Sequence, residues 1–274
     1  MTNPTAAPSA AASEPERPPI PWLAVIGAGL VAGFTSGLFG VGGGIVVVPA
    51  LTLLARFPAK LATGTSLTAI VPISIAGAIG YATAGEVDAA AAGLVILGSL
   101  AGAVIGTRWL ESISVPALQL LFAGLMLVTA VRLVGGGDVD GAGRIDLGPA
   151  AIAGLVVLGL AAGILAGLFG VGGGIIIVPA LTIVFGLPLV LAKGTSLAVI
   201  IPTGVVGTLR NRKAGLTALK PGLLVGLAGV ASALAASQLS LDLDPDLSAL
   251  LFAALLVVVA IRLGLTARAD TADT

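Results

Sequence analysis

Two short glycine runs stand where this chain could do chemistry. Gly40-Val41-Gly42-Gly43-Gly44 and Gly170-Val171-Gly172-Gly173-Gly174 each separate one apolar stretch from the next. Consecutive glycines free backbone N–H groups, and where such a run opens a helix the unpaired donors and the helix dipole both favour negative charge. The expected chemistry is the cradling of an anion by Gly42, Gly43 and Gly44 together with Gly172, Gly173 and Gly174. A nucleotide loop is excluded, because no Gly-Lys-Ser/Thr ending follows and Ile45 and Ile175 stand where a dinucleotide motif needs glycine. Gly64-Thr65-Ser66 and Gly194-Thr195-Ser196 come next in each case. The hydroxyls of Thr65, Ser66, Thr195 and Ser196 are the side-chain candidates for holding the same ligand. A hydroxyl in a membrane helix commonly bonds a carbonyl of its own helix, so it is the pairing with the glycine turns that singles these four out. Pro49 and Pro179 lie five residues after each turn, and Pro72 and Pro202 fall in the following segments. All four are expected to break helices, bringing irregular backbone to one central place.

Other chemistry is excluded by absence. The chain has no Cys and no His, which removes disulfides, Cys/His metal sites, Cys nucleophiles and the Ser-His-Asp arrangement. No Asp or Glu falls in the middle of an apolar stretch, where a proton relay or cation site would put one. The reading is therefore not an enzyme, with no cofactor and no metal. Net charge is zero, so nothing points to nucleic acid.

The elements that must position these residues follow from composition. Of 274 residues 57% are hydrophobic and only 9% charged, with a mean hydropathy of +1.16. An ordinary soluble domain carries about 25% charged residues, so the solvent is lipid and the fold class is an all-α polytopic membrane protein. Taking about 20 apolar residues per crossing, the stretches are 22–39, 45–55, 61–84, 89–109 and 115–134, then 147–169, 175–187, 189–209, 217–239 and 247–265. The two after the glycine turns are too short to cross as straight helices. A Pro- and Ala-rich tail read as disordered occupies 1–21, a Gly- and Asp-rich linker 135–146, and a polar tail 266–274. The first membrane repeat is 22–134 and the second 147–265.

The repeats are copies at an offset of 130 residues. Gly37 to Thr52 and Gly167 to Thr182 differ only at Val46/Ile176 and Val47/Ile177. The same offset relates Thr63 to Lys193, Pro72 to Pro202, Ala84 to Ala214 and Arg132 to Arg262. Five segments per half would invert the second copy, whereas four full spans per half would leave both copies the same way up. With ten crossings and the N-terminus inside, only Arg132, Arg144 and Lys193 of the 13 Lys and Arg fall outside, as the positive-inside rule requires. Re-entrant short segments give nearly the same bias, so the total does not decide. Equivalent loops are more telling. The loop of Glu86 and Asp88 has no basic residue while its copy holds Arg210, Arg212, Lys213 and Lys220. That contrast favours inverted repeats. Gly29, Gly33 and Gly37, and again Gly98, Gly102 and Gly106, have the spacing of helix packing. Lys193 reads either as a charge added to the site on one side only or, the preferred reading, as a residue that snorkels from a helix end.

The duplicated Gly-Leu-Phe-Gly-Val-Gly-Gly-Gly turn, the following Val-Pro-Ala-Leu, the Gly-Thr-Ser start and the Ala-Gly before a loop resemble the TauE/SafE family, also called the sulfite exporter or TSUP family. The likeness covers about Trp22 to Leu265. It implies a multi-pass carrier of small sulfur-containing anions such as sulfite, sulfonates or thiosulfate in the cytoplasmic membrane; the loop charges of the ten-crossing count put both termini on the cytoplasmic side. The expected partners are a small anionic substrate and the lipid bilayer, and homo-oligomerisation is left open. Two other readings remain: a carrier of another small organic anion or amino acid, and a non-transporting integral membrane subunit.

Overall fold

The computed structural model describes residues 22–109, 115–135 and 143–272. The tail read at 1–21, most of the linker and Glu111 lie outside them. Every element among the described residues is an α-helix. The first repeat gives α1 (Trp22–Phe39), α2 (Gly44–Leu53), α3 (Ala59–Thr83), α4 (Ala89–Trp109) and α5 (Val115–Val134). The second gives α6 (Pro149–Phe169), α7 (Gly174–Ile183), α8 (Leu189–Lys213), α9 (Leu219–Asp242) and α10 (Pro245–Ala272). Helix α10 continues past the apolar stretch into the polar residues that follow it. Six of the helices, α1, α3, α6, α8, α9 and α10, are long and apolar enough to cross a membrane among the described residues. Helices α2 and α7 have 10 residues each; at about 1.5 Å per residue they reach only about half of the roughly 30 Å hydrocarbon layer.

The breaks in the backbone fall at the glycines and not at the prolines. Gly40, Gly42 and Gly43 and their copies Gly170, Gly172 and Gly173 all have positive φ, between 68° and 81°, a region closed to most side chains. Pro49, Pro72, Pro179 and Pro202 instead sit inside helices that run through them. The expectation of four helix breaks is corrected to four interior prolines. Each removes one N–H from its ladder, a loss that packed membrane helices tolerate.

The packing interleaves the two repeats. Helix α1 lies along α9 and α4 along α6, while α3 packs on both α8 and α9 and α5 on α10. Glycine stripes set these contacts. A Cβ on Gly29, Gly33 or Gly37 would meet the carbonyls of Val225, Gly229 and Ala233 in that order, so α1 and α9 run in the same direction. Gly98 and Gly102 meet Val156 and Leu160 in the same way, which makes α4 and α6 parallel. Helices α3 and α8 run oppositely, with Leu67 against Gly207, Val71 against Gly204 and Gly77 against Leu197. Outward faces carry exposed Leu23, Leu97, Val157 and Leu227, the surface that lipid requires.

Candidate functional site

The two glycine turns touch. A Cβ on Gly44 would lie 2.5 Å from the Val171 Cα, and one on Gly174 would lie 2.9 Å from both Gly40 O and the Val41 Cα. This contact places the starts of α2 and α7 side by side. Gly43 and Gly173 are the N-caps, both left-handed, and neither start receives a side-chain cap. Val46 and Val47 N–H return to Gly43 O, as Ile176 and Ile177 N–H do to Gly173 O. The first amides of each helix have no acceptor within their own helix, so both helix starts present donors and the positive end of a dipole.

A cavity of about 460 Å³ opens beside them. Gly44 and Ile45 line it from α2, and Gly173 and Ile175 from α7. Helix α3 contributes Thr63, α10 contributes Arg262, and Leu168, Phe169 and Val171 form much of the apolar wall. A largely apolar wall with few placed polar groups is the usual build of a small-ligand pocket. Here those groups are two helix starts, a hydroxyl and a guanidinium, and all of them suit an anion.

The glycines singled out in the sequence divide. Gly44 and Gly173 border the cavity, whereas Gly42 faces Ile200, Gly172 faces Ile70 and Ile200, Gly174 meets the opposite turn and Gly43 backs onto Ala32 O. The four hydroxyls do not line the cavity. Ser66 Oγ donates to Gly170 O and Ser196 Oγ to Gly40 O, each at 2.8 Å. Thr65 Oγ1 accepts from Ala218 N–H at 3.0 Å and Thr195 Oγ1 from Asp88 N–H at 2.9 Å. All four residues are fully buried. Each serine clasps the other repeat's glycine turn, and each threonine docks the other repeat's loop, so in this conformation the hydroxyls hold the site's frame.

Thr63 and Arg262 escaped the sequence reading as site residues. Both were visible only as positions in the repeat alignment, Thr63 opposite Lys193 and Arg262 opposite Arg132. Lys193 itself does not snorkel. Its side chain is fully buried, with Nζ donating to Ser240 Oγ at 3.0 Å and Ser248 Oγ at 2.7 Å. The snorkelling expectation fails because the side chain turns inward to Ser240 on α9 and Ser248 on α10. Three other buried hydroxyls, of Ser36, Ser74 and Thr217, have no partner among the described residues.

Comparison with known proteins agrees with the membrane architecture. The profile of the family described as sulfite exporter TauE/SafE matches residues 3–133 and 155–273. The chain is 33% identical over 180 residues to the "Probable membrane transporter protein YdhB" of Bacillus subtilis, covering 64% of this chain and 72% of that one. It is 27% identical over 209 residues to "Probable membrane transporter protein YunE" of the same organism, covering 68% and 77%. A "Probable membrane transporter protein" of Xylella fastidiosa is 30% identical over 195 residues, covering 68% and 72%. No solved structure matches the chain significantly. With a family profile spanning nearly all of both repeats, and relatives named as membrane transporters, the chain belongs to the sulfite exporter TauE/SafE family of membrane transporters.

Proposed function

We propose that this protein carries small oxyanions, sulfite, sulfonates or thiosulfate, across the cytoplasmic membrane by alternately exposing one site between two inverted halves. The observation that carries the reading is the opening of two uncapped helix starts, at Gly44 and Gly173, onto the cavity that also holds Arg262 and Thr63. Unpaired amides, two helix dipoles and a guanidinium all stabilise negative charge at one place. Among the described residues no carboxylate lines the cavity, so none of them would repel an anion.

Inversion is supported by the opposite running of α3 and α8, since they are copies of one segment. A two-fold axis along the membrane normal would keep two copies parallel; an axis in the membrane plane reverses them. The cavity lies at the end of the molecule that holds Thr63 and Arg262, and the basic loop at Arg212 follows the same end of α8. The positive-inside bias makes that end, and both termini, cytoplasmic. Cysteines at Ala84 and Ala214, equivalent and both exposed, are expected to label from opposite sides of the membrane; labelling from one side removes the inverted arrangement.

The functional test is sulfite flux into liposomes. Wild-type protein is expected to support flux, and Gly44→Ala to lose it, because the added methyl meets the Val171 backbone at 2.5 Å. Absence of both flux and an anion-dependent thermal shift would identify a non-transporting subunit. The apolar wall favours a second reading, an organic anion with a short apolar part. Competition of alkyl sulfonates and carboxylates against labelled sulfite separates the two.

A further inference from the structure

Lys193 is a buried cation whose partners are two neutral hydroxyls. Among the described residues no carboxylate lies in contact with it, and Nζ is held only by Ser240 on α9 and Ser248 on α10. Ser240 Oγ in turn donates to Leu38 O at 3.1 Å, so one side chain ties α8 to α9, α10 and the end of α1. Its equivalent in the first repeat is Thr63, which lines the open cavity. The surroundings are related in the same way. Leu168, Phe169 and Val171 wall the cavity beside Thr63. Their equivalents Leu38, Phe39 and Val41 are buried at 6%, 9% and 1% exposure, with the Phe39 ring stacked on Phe252 at 6.0 Å.

We propose that Lys193 is the latch and the anion-specificity residue of the second, closed entrance. With the Thr63 entrance open, the ammonium is satisfied by Ser240 and Ser248 and holds the equivalent volume shut. When the Lys193 entrance opens, the ammonium leaves those hydroxyls and pairs with the transported anion. The proposal rests on the transport reading and makes the two entrances unequal: a guanidinium at the rim of one, a lysine inside the other. A buried charge with neutral partners suits such a switch, because an anion can outbid hydroxyls where it could not displace a carboxylate.

The test uses cysteine reporters at the equivalent positions Leu38 and Leu168 in the full-length protein, labelled by a soluble maleimide. Removing both hydroxyls with S240A/S248A strands the ammonium in the closed state. Leu38→Cys is then expected to label roughly tenfold faster, which corresponds to about 1.4 kcal/mol, and Leu168→Cys more slowly. Adding Lys193→Met to those changes removes the stranded charge and is expected to return Leu38→Cys to its slow rate. A general loosening of packing would not be reversed by that third change. An unaltered Leu38→Cys rate in S240A/S248A, or a fast rate that persists with Lys193→Met, overturns the latch. Sulfite added to otherwise wild-type protein should speed Leu38→Cys labelling, and Lys193→Met should abolish that response. Absence of sulfite flux in the unaltered chain counts against the transport reading, and the S240A/S248A labelling still judges the latch.

Discussion

Thr63 and Lys193 occupy equivalent positions of one duplicated sequence segment yet sit in unlike surroundings. Beside Thr63 the wall residues Leu168, Phe169 and Val171 surround a cavity of about 460 Å³. Beside Lys193 the same three positions are buried and the lysine fills the interior. The glycine turns themselves scarcely differ, with φ of 70° and 81° at the two N-caps and serine clasps of equal length. The lesson is that two nearly identical glycine turns can be flanked by unlike surroundings, here a threonine beside a cavity and, in its equivalent position, a lysine buried against two hydroxyls. A carrier with alternating access needs such a division, with a shared pivot and separate gates.

The largest expected effects test the shared pivot. Gly43→Val and Gly173→Val each force a β-branched residue to positive φ, at a strain of about 1–3 kcal/mol. The new Cβ atoms would also approach Ala32 O at 2.5 Å and Ala162 O at 2.8 Å. Both variants should lose sulfite flux entirely; retention by either one would show that the turns are not equivalent. Next come the gates. Arg262→Gln removes a guanidinium from the cavity and should reduce flux at low sulfite by roughly tenfold or more, since a hydrogen bond to a charged group contributes about 1.5–3 kcal/mol. Its equivalent Arg132 is exposed as Arg262 is but is not among the residues that line the cavity, and Arg132→Gln should leave flux near wild type. Equal losses would dissolve the distinction between the two ends.

Smaller effects probe the frame. Ser66→Ala and Ser196→Ala each leave a buried carbonyl, Gly170 O or Gly40 O, without its donor. Both should lower stability by about 1–3 kcal/mol, read as matched drops in melting temperature in detergent, and a drop in only one would break the symmetry of the clasps. The smallest effect lies in the loops. Asp88 Oδ1 accepts from Ala90 and Ala91 N–H at the start of α4, while the equivalent Ala218 gives α9 no side-chain cap. Asp88→Ala should cost about 0.5–2 kcal/mol and Ala218→Asp should recover part of that in α9; thermal melts of the two variants and their combination measure it.

Much of the fold was legible in the order of residues. Apolar runs fix helix length because lipid leaves backbone groups no partner but their own helix, and the starts of α1, α4, α5 and α8 fall where the apolar stretches begin. The glycine stripes on α1 and α4 were readable as packing because only small residues let backbones approach. The prolines were misjudged because a lost N–H weakens a helix locally without ending it once neighbours pack around it. Ser66 and Ser196 were legible as a symmetric pair beside the turns, but as ligand-holding groups, whereas each donates to a carbonyl of the other turn. Their partners were not legible, since a carbonyl 104 or 156 positions away becomes a neighbour only through interleaving of the repeats.

By itself the sequence determined that this is a helical membrane protein with a duplicated glycine turn, with no Cys or His and no Asp or Glu in the middle of an apolar stretch. Those properties are local: they follow from side-chain hydropathy, from the positive φ that only glycine tolerates freely, and from residue types that are absent. Only the tertiary structure decided that Gly44 and Gly173 border one cavity, that Thr63 and Arg262 join them, and that Lys193 lies buried against two serines. These depend on which helix lies against which, and the free energy that selects such neighbours is spread over surfaces contributed by both repeats.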